Sequence, residues 1–460
     1  MSLLQQSIQQ FGRFSRNARL YLISNALSGI TLGIIQVLYN LYLVSLGYNT
    51  AFIGLILFAG TIGAGIAIFP AGLCIDRFGG KAILIWASVL IGIAGAGQML
   101  FRTPPLLLIS AFMAGIGGAF ILVVNVPFLA LHSTPEDRQQ LFSLNIVLSL
   151  IATVIGEGLG GFLPLWFRSL PSLMASLPMG ISWMLAAQPL ARSYQLALLL
   201  AGIIAAPSFI PLFLLQDDRL GRQQASKHAD GSKHADGSKQ LAWRARLGIL
   251  LADWRQIPVQ TLLFSPLSVM ITVYLLIGTG AGLLLPYFNV YFVQHLGASS
   301  ALFGTIDAAA NILNAIATLL APWLVLRIGK VSALLLPRIL SLPVLLLLGL
   351  TGSLPFAAAL YPLRQGLMDM SQGILQVFSM EVVPVQHRGL ANSSYQAAYQ
   401  VMWALGASLG GTLIARLGYL PVFICTTILY ALALLLLGQK FGHGKYHPIE
   451  EEPIQQPIAS

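Results

Sequence analysis

The feature that most constrains this chain is the length of its uncharged apolar runs. Residues 20–44, 106–129 and 269–293 contain no Asp, Glu, Lys or Arg at all. About 20 apolar residues in a helix cross the hydrocarbon of a bilayer, so each run dictates a helix held in lipid or among other helices. A soluble fold has no surface for them: 57% of the residues are hydrophobic and only 9% are charged, against about 25% charged in an ordinary soluble domain. Membrane strands are excluded as well, because barrel strands alternate polar and apolar residues and these runs do not. Cys74 and Cys425 fall in different apolar segments and suggest neither a disulfide scaffold nor a metal cluster.

Read by hydropathy, the chain holds twelve spans, near 20–44, 53–73, 82–100, 106–129, 141–163, 194–215, 269–293, 301–324, 331–350, 355–378, 390–414 and 420–437. The expected organisation is an N-terminal six-helix bundle over 1–216, a partly disordered cytoplasmic linker over 217–260, a second six-helix bundle over 261–440 and a cytoplasmic tail over 441–460. The first run is too long for a cleavable leader. Residues 169–191 are uncharged too, but Pro171, Pro178 and Pro189 predict a loop on the membrane surface rather than a further crossing. In the linker, 227–232 reads KHADGS and 233–238 repeats it, with almost nothing apolar to bury. Residues 241–254 are amphipathic and are expected along the inner membrane face, with Trp243 and Trp254 at headgroup level.

The charges orient the spans. With the N-terminus in the cytoplasm, Arg13, Arg16, Arg19, Arg77, Lys81, Arg138, Arg327, Lys330, Arg388, Lys440, Lys445 and the basic residues of the linker all lie inside. Only Arg102, Arg168, Arg192 and Arg416 fall outside. This is the positive-inside pattern, and it puts both termini in the cytoplasm of a cell that carries the protein in its inner, cytoplasmic membrane. The net charge of +10 is therefore a topology signal and a contact for anionic lipid. No basic face interleaves with exposed aromatics, so nucleic acid is excluded as a partner.

The two halves repeat at a nearly constant spacing. Asn40-Leu41-Tyr42 in the first span answers Asn289-Val290-Tyr291 in the seventh. Gly47 answers Gly297, Gly54 answers Gly304, Arg77 answers Arg327, Gly79 answers Gly329 and Arg138 answers Arg388. Gly156, Gly160 and Gly161 answer Gly406, Gly410 and Gly411. A six-span unit keeps its orientation when repeated, so the halves are expected to be related by a pseudo-two-fold axis along the membrane normal, with a site between them.

On these residues the chain resembles the major facilitator superfamily over nearly its whole length. That family's loop signature between spans two and three is Gly, three variable residues, Asp-Arg, one variable, Gly-Arg-Lys. Here it reads Gly72-Leu-Cys-Ile-Asp76-Arg77-Phe78-Gly79-Gly80-Lys81, with Gly80 in place of Arg. The second half keeps Arg327, Gly329 and Lys330. The resemblance implies a conformational latch at Gly72, Asp76, Arg77, Gly79, Lys81, Arg327 and Lys330. On physical grounds Gly72 would let a helix end approach a neighbour closely, and Asp76 could pair with a cation or a helix N-terminus. A second stretch, Gly156-Glu157-Gly158-Leu159-Gly160-Gly161, is similar to the antiporter motif of the family's exporters, with Glu157 where a proline belongs. In those exporters the motif packs span five against span two. The resemblance implies an all-α, bacterial-type carrier with an exporter tilt, expected to be a monomer.

Glu157, Asp307, Arg338, Arg364 and Asp369 fall inside apolar spans, where each must face protein or water. At about 1.5 Å rise per residue, Asp307 and Arg364 match in depth, and so do Arg338 and Asp369. The first pair is expected to serve substrate or coupling, and the second to be a buried structural pair. Glu157 matches no cation in depth. A buried unpaired carboxylate is costly, so its resting form is expected to be the neutral acid, suited to carrying a proton. Glu157 and Asp307 are thus the proton-coupling candidates.

By resemblance, spans one, four, seven and ten line the cavity. That places Arg364, Gln36, Asn40, Asn125, Asn289 and Gln365 there, with Arg364 suited to an anionic group. Asn40 and Asn289 could instead bond spans one and seven together as a gate. Tyr395, Tyr399 and Trp403 share one helical face of span eleven, as a cavity wall or as packing. No phosphate-binding loop, cofactor motif, metal pair or nucleophile–base cluster appears, so an enzyme is not expected. The reading is a secondary active transporter coupling efflux of a small amphipathic organic solute to protons by alternating access. The alternatives are uptake or exchange of an organic anion on Arg364, and a channel.

Overall fold

The computed structural model describes residues 14–134, 137–175, 184–216, 265–384 and 388–442. The KHADGS repeat, the amphipathic stretch 241–254 and the tail beyond 442 lie outside the described residues, as does the side chain of Asp76.

The described chain is helical from end to end. The helices are α1 (Arg16–Ser45), α2 (Thr50–Phe78), α3 (Gly80–Leu100), α4 (Pro104–Leu131), α5 (Arg138–Arg168) and α6 (Pro189–Phe213). After the linker come α7 (Pro266–His295), α8 (Ser300–Ile328), α9 (Lys330–Leu350), α10 in two limbs (Leu354–Asp369 and Gln372–Glu381), α11 (Arg388–Leu417) and α12 (Tyr419–Phe441). Among the described residues ten helices are long and apolar enough to cross a membrane, namely α1 to α9 and α12. Helix α10 falls short because it breaks at Met370 and Ser371. Helix α11 carries Asn392, Ser393, Ser394 and Gln396 in its first turns. The protein is an all-α, multi-span membrane protein.

Local chemistry sets the turns. Gly47 and Gly297 adopt φ of 94° and 73°, and Gly79 and Gly329 adopt 83° and 80°. A side chain is strained in that left-handed region, which explains why glycine recurs at these answering positions. Asn49 then caps α2 by accepting from the Phe52 amide, and Ser299 caps α8 by accepting from Leu302. Tyr42 donates to the Met99 carbonyl, and its counterpart Tyr291 donates to Leu348.

Packing follows the same rhythm. Helix α1 lies on α5 and α6 as α7 lies on α11 and α12. Helix α4 lies on α2 and α3 as α10 lies on α8 and α9. Two seams join the halves, α2 against α11 and α5 against α8. Glycine makes these contacts close. A Cβ on Gly33 would meet the Thr153 carbonyl oxygen at 2.2 Å, and one on Gly156 would meet that of Ile30 at 2.1 Å. In the second half Gly282 and Gly410 stand equally close to the carbonyls of Trp403 and Leu283. Gly156 and Gly160 thus seat α5 on α1, and the expected contact with span two is not made. Gly72 has no atom within 4 Å of a Cβ position, so in this conformation it serves no close helix contact.

Residues 169–191 form no crossing among the described residues. They hold a single helical turn, Pro171–Met174, and α6 begins at Pro189, ahead of the expected 194. Arg192, expected at the outer surface, is instead 2% exposed. It donates to the carbonyls of Leu173, Ala175, Ala186 and Ala187 and so pins the loop to the start of α6.

Candidate functional site

The contacts between the halves gather at one end, where α1 turns into α2 and α7 into α8. Asn40 donates to the Pro286 carbonyl and to the Asn289 side chain, and Asn289 donates to the carbonyls of Gln36 and Val37. Thr50 donates to the Gly411 carbonyl at 2.8 Å, and its counterpart Ser300 donates to Gly161 at 3.0 Å. This end is closed. At the far end a separate apolar core of Phe14, Tyr21, Ile75, Leu84, Phe128 and Leu215 draws on the first half alone. Asn40 and Asn289 therefore do not line a cavity. Their amides are spent on each other's helix, and both residues are buried.

Deeper along the α5–α8 seam lies a polar cluster. Glu157 is fully buried, and its Oε1 accepts from Asn311 Nδ2 at 2.7 Å across the seam. Its Oε2 is buried with no hydrogen-bond partner. One turn from Asn311 on the same face of α8, Asp307 Oδ1 accepts from the Tyr361 hydroxyl of α10 at 2.8 Å. Glu157 and Asp307 lie within electrostatic reach of each other. The carboxyls, the amide and the phenol thus bring α5, α8 and α10 to one point.

The expected ion pair between Asp307 and Arg364 does not form. Asp307 meets Tyr361, one helical turn before Arg364 on α10. Arg364 is 1% exposed, and its Nε, Nη1 and Nη2 are all buried without a hydrogen bond. It lies 6.0 Å from the ring of Tyr430 on α12, a cation–π contact. Nor do Arg338 and Asp369 pair. Arg338 donates to Ser371 Oγ at 2.6 Å and to Gln372 Oε1 at 2.8 Å, while Asp369 accepts from Asn314 at 3.4 Å. The break in α10 at Met370 and Ser371 places the Ser371 hydroxyl where the guanidinium can reach it.

The other candidates are dispersed. Gln36 is exposed, and Asn125 and Gln365 are half-buried, Asn125 with its Oδ1 unpartnered. Tyr395 is buried and stacks on Tyr274 of α7 at 5.1 Å, so it packs helix on helix. Tyr399 and Trp403 are half-buried on the same flank. Of the latch residues, Arg77 stacks on Phe78 and Arg327 on Trp323, each on its own helix. Lys81 donates to the Leu215 carbonyl, and Lys330 pairs with Glu381 at 2.5 Å. These contacts stay within one half, so none of them bolts the far end shut. Asn311, Asn314 and Tyr361 went unmarked in the sequence. A signal was there: Asp307, Asn311, Asn314 and Thr318 stand on one face of α8.

The sequence matches the Major Facilitator Superfamily over residues 21–361 and 270–458. A curated relative, Multidrug resistance protein 1 of Bacillus subtilis (strain 168), is 29% identical over 116 residues, which span 23% of this chain and 29% of that protein. Among solved structures, a bacterial homologue of the iron transporter ferroportin, in an inward-facing state, aligns over 95% of this chain and 99% of its own, with TM-score 0.67 and 17% identity. A bacterial homologue of the human lysosomal transporter Spinster, inward-facing and unoccupied, aligns over 92% and 95%, with TM-score 0.66 and 12% identity. A D-xylose–proton symporter aligns over 92% and 96%, with TM-score 0.64 and 16% identity. At these identities the likeness is one of fold.

Proposed function

The chain belongs to the major facilitator superfamily, and from that premise we propose that it couples export of a small amphipathic organic solute to protons. The family moves solutes and does not transform them, so the protein is a transporter of the secondary type and not an enzyme. It is a multi-pass membrane protein with lipid as its standing partner. In the proposed arrangement it crosses twelve times as two six-helix bundles, over 1–216 and 261–440, about a two-fold axis along the membrane normal. Residues 217–260 and 441–460 lie in the cytoplasm of a monomer in the inner, cytoplasmic membrane. The closed end faces outward and the far end faces the cytoplasm, so this is an inward-facing state.

The observation that carries coupling is Glu157, a fully buried carboxyl bonded across the α5–α8 seam to Asn311. Two acids in one buried site repel when both are ionised, so Glu157 and Asp307 share a proton while the seam is shut. Loss of that proton to water from the open end leaves two repelling carboxylates, and when the seam parts water reaches both and a proton is taken up again. A proton on this pair therefore favours the closed seam, and its loss favours the opposite state. Export rests on two supports. The spans offer few fixed hydrogen-bond groups, which suits an amphipathic solute better than a sugar. The 29% match is to a protein named for multidrug resistance.

A second reading, uptake or exchange of an organic anion, is favoured by Arg364, whose three guanidinium nitrogens are buried without a hydrogen bond. Buried donors left without acceptors are costly, and an anion delivered to them would offset that cost. Proton-coupled flux in proteoliposomes, measured for E157Q, D307N and R364Q, tests both readings. In E157Q, solute-for-solute exchange is expected to survive while flux driven by a pH gradient falls at least tenfold. Normal driven flux in both E157Q and D307N would remove the acids from coupling. Loss of exchange of carboxylate solutes in R364Q alone would establish the second reading.

A further inference from the structure

The two seams between the halves are built alike at the closed end and differ sharply one turn deeper. At the closed end Thr50 bonds Gly411 and Ser300 bonds Gly161. A Cβ on Gly54 would meet the Ala407 carbonyl at 2.7 Å, and one on its counterpart Gly304 would meet the Glu157 carbonyl at 2.5 Å. Position 157 thus answers 407, as 307 answers 57 and 311 answers 61. The α2–α11 seam fills these places with Ala407, Leu57 and Thr61, and the Thr61 hydroxyl is bonded back to the Leu57 carbonyl of its own helix. At these three positions no side chain bonds from α2 to α11; the Tyr287 hydroxyl of α7 bonds the Ala407 carbonyl there instead. The α2–α11 seam thus closes without a buried acid or amide at the places that Glu157, Asp307 and Asn311 occupy in the other.

Asn311 is the member of that set with a single geometric duty. Its Nδ2 points across the seam onto Glu157 Oε1 at 2.7 Å, and the opposite carboxyl oxygen is left bare. The charged and titratable groups around the pair are Asp307 on α8 and Tyr361 and Arg364 on α10. From α1 the neighbour is Gly33, which brings no charge. No cation bonds Glu157, so its carboxylate form depends on the amide. An N–H donated to a carboxylate is about twice as strong as one donated to a neutral acid.

We propose that Asn311 is the positioning residue that lets Glu157 give up its proton while the α5–α8 seam is still closed. This rests on the reading of Glu157 as the proton carrier. The order of events follows. The neutral acid arrives with the seam shut, its O–H bond breaks, and the proton passes to water entering from the open end. The carboxylate that remains is held by Asn311 until repulsion from Asp307 parts the seam. Without the amide the carboxylate has no donor in the closed seam, and the proton stays on. Coupling then fails although Glu157 itself is intact.

Infrared titration of the purified protein in lipid tests this, read as the protonated-carboxyl stretch against pH. The wild type is expected to show one titrating band that E157Q removes. In N311L, and in N311T, which carries the residue found at position 61, the band should persist to a pH higher by about one unit or more. N311Q, which keeps an amide donor, should return most of the way to the wild-type midpoint. Thermal unfolding of each variant shows that the comparison is made on folded protein, and N311T serves if N311L does not fold. A band lost in E157Q but unmoved in N311L and N311T would overturn the role of Asn311 alone. A band unchanged in E157Q would instead overturn the reading of Glu157 on which the proposal stands.

Discussion

At the scale of single residues, burial separates what the sequence could mark from what it could not. Charge in an apolar run was a sufficient signal for Glu157, Asp307, Arg338, Arg364 and Asp369, and all five lie inside the helical body. Pairing them by depth failed, because depth along a helix fixes height and leaves the direction around the axis open. Asp307 reaches α10 at Tyr361, one turn from the expected Arg364. Arg338 found a hydroxyl and an amide where a carboxylate was expected, because α10 breaks beside it. Arg192 shows the converse error. It lies outside the apolar core of its span, and the positive-inside rule reads it only as a surface charge, yet it is buried by four carbonyls. R192A should lower stability by about 3 kcal/mol, the worth of losing hydrogen bonds from one charged group in a buried site. R192K should recover less than half of that, since an ammonium cannot fork to carbonyls on both sides. Chemical denaturation of the two variants in the same lipid or detergent checks the order.

At the scale of the helix, glycine spacing was the most legible signal and its partner the least. The Gly156 and Gly160 face was visible in the sequence, and so was its answer at Gly406 and Gly410. Which neighbour it touches depends on the rotation of α5, and the structure seats it on α1 at Gly33 and Ile34. Replacing Gly282 with Val should destabilise the fold by about 2–3 kcal/mol, because its Cβ would fall 2.1 Å from the Trp403 carbonyl and force α7 off α11. Gly72→Ala should leave stability unchanged or raise it by up to about 1 kcal/mol, since the site is open and helical alanine is favoured over glycine. Equal losses in thermal unfolding for both variants would contradict this account of the glycines. The break in α10 had no local signal strong enough to find it. Met370, Ser371 and Gln372 are ordinary helix residues, and the contacts of Arg338 are what give the break a use.

At the scale of the whole molecule the repeat carried furthest. The answering pairs read from sequence reappear as answering turns, caps, tyrosine bonds and helix contacts. The sequence could not say which end would be shut, because a chain that serves two states encodes both. Here the cross-seam bonds stand toward one end, and the described contacts of Arg77, Lys81, Arg327 and Lys330 stay within their own halves. As a secondary transporter of this family, the protein opens its two ends in alternation. Thr103 and Ser353 are answering exposed residues at the closed end, and Thr134 and Pro384 are answering exposed residues at the far end. Spin-label distances for the pairs T103C/S353C and T134C/P384C, followed by pulsed electron resonance in lipid as the pH is raised, report both ends at once. Reciprocity is expected: as the acids lose their proton, the first distance lengthens while the second shortens, and E157Q abolishes the response. Two distances that lengthen together would describe a channel and contradict it.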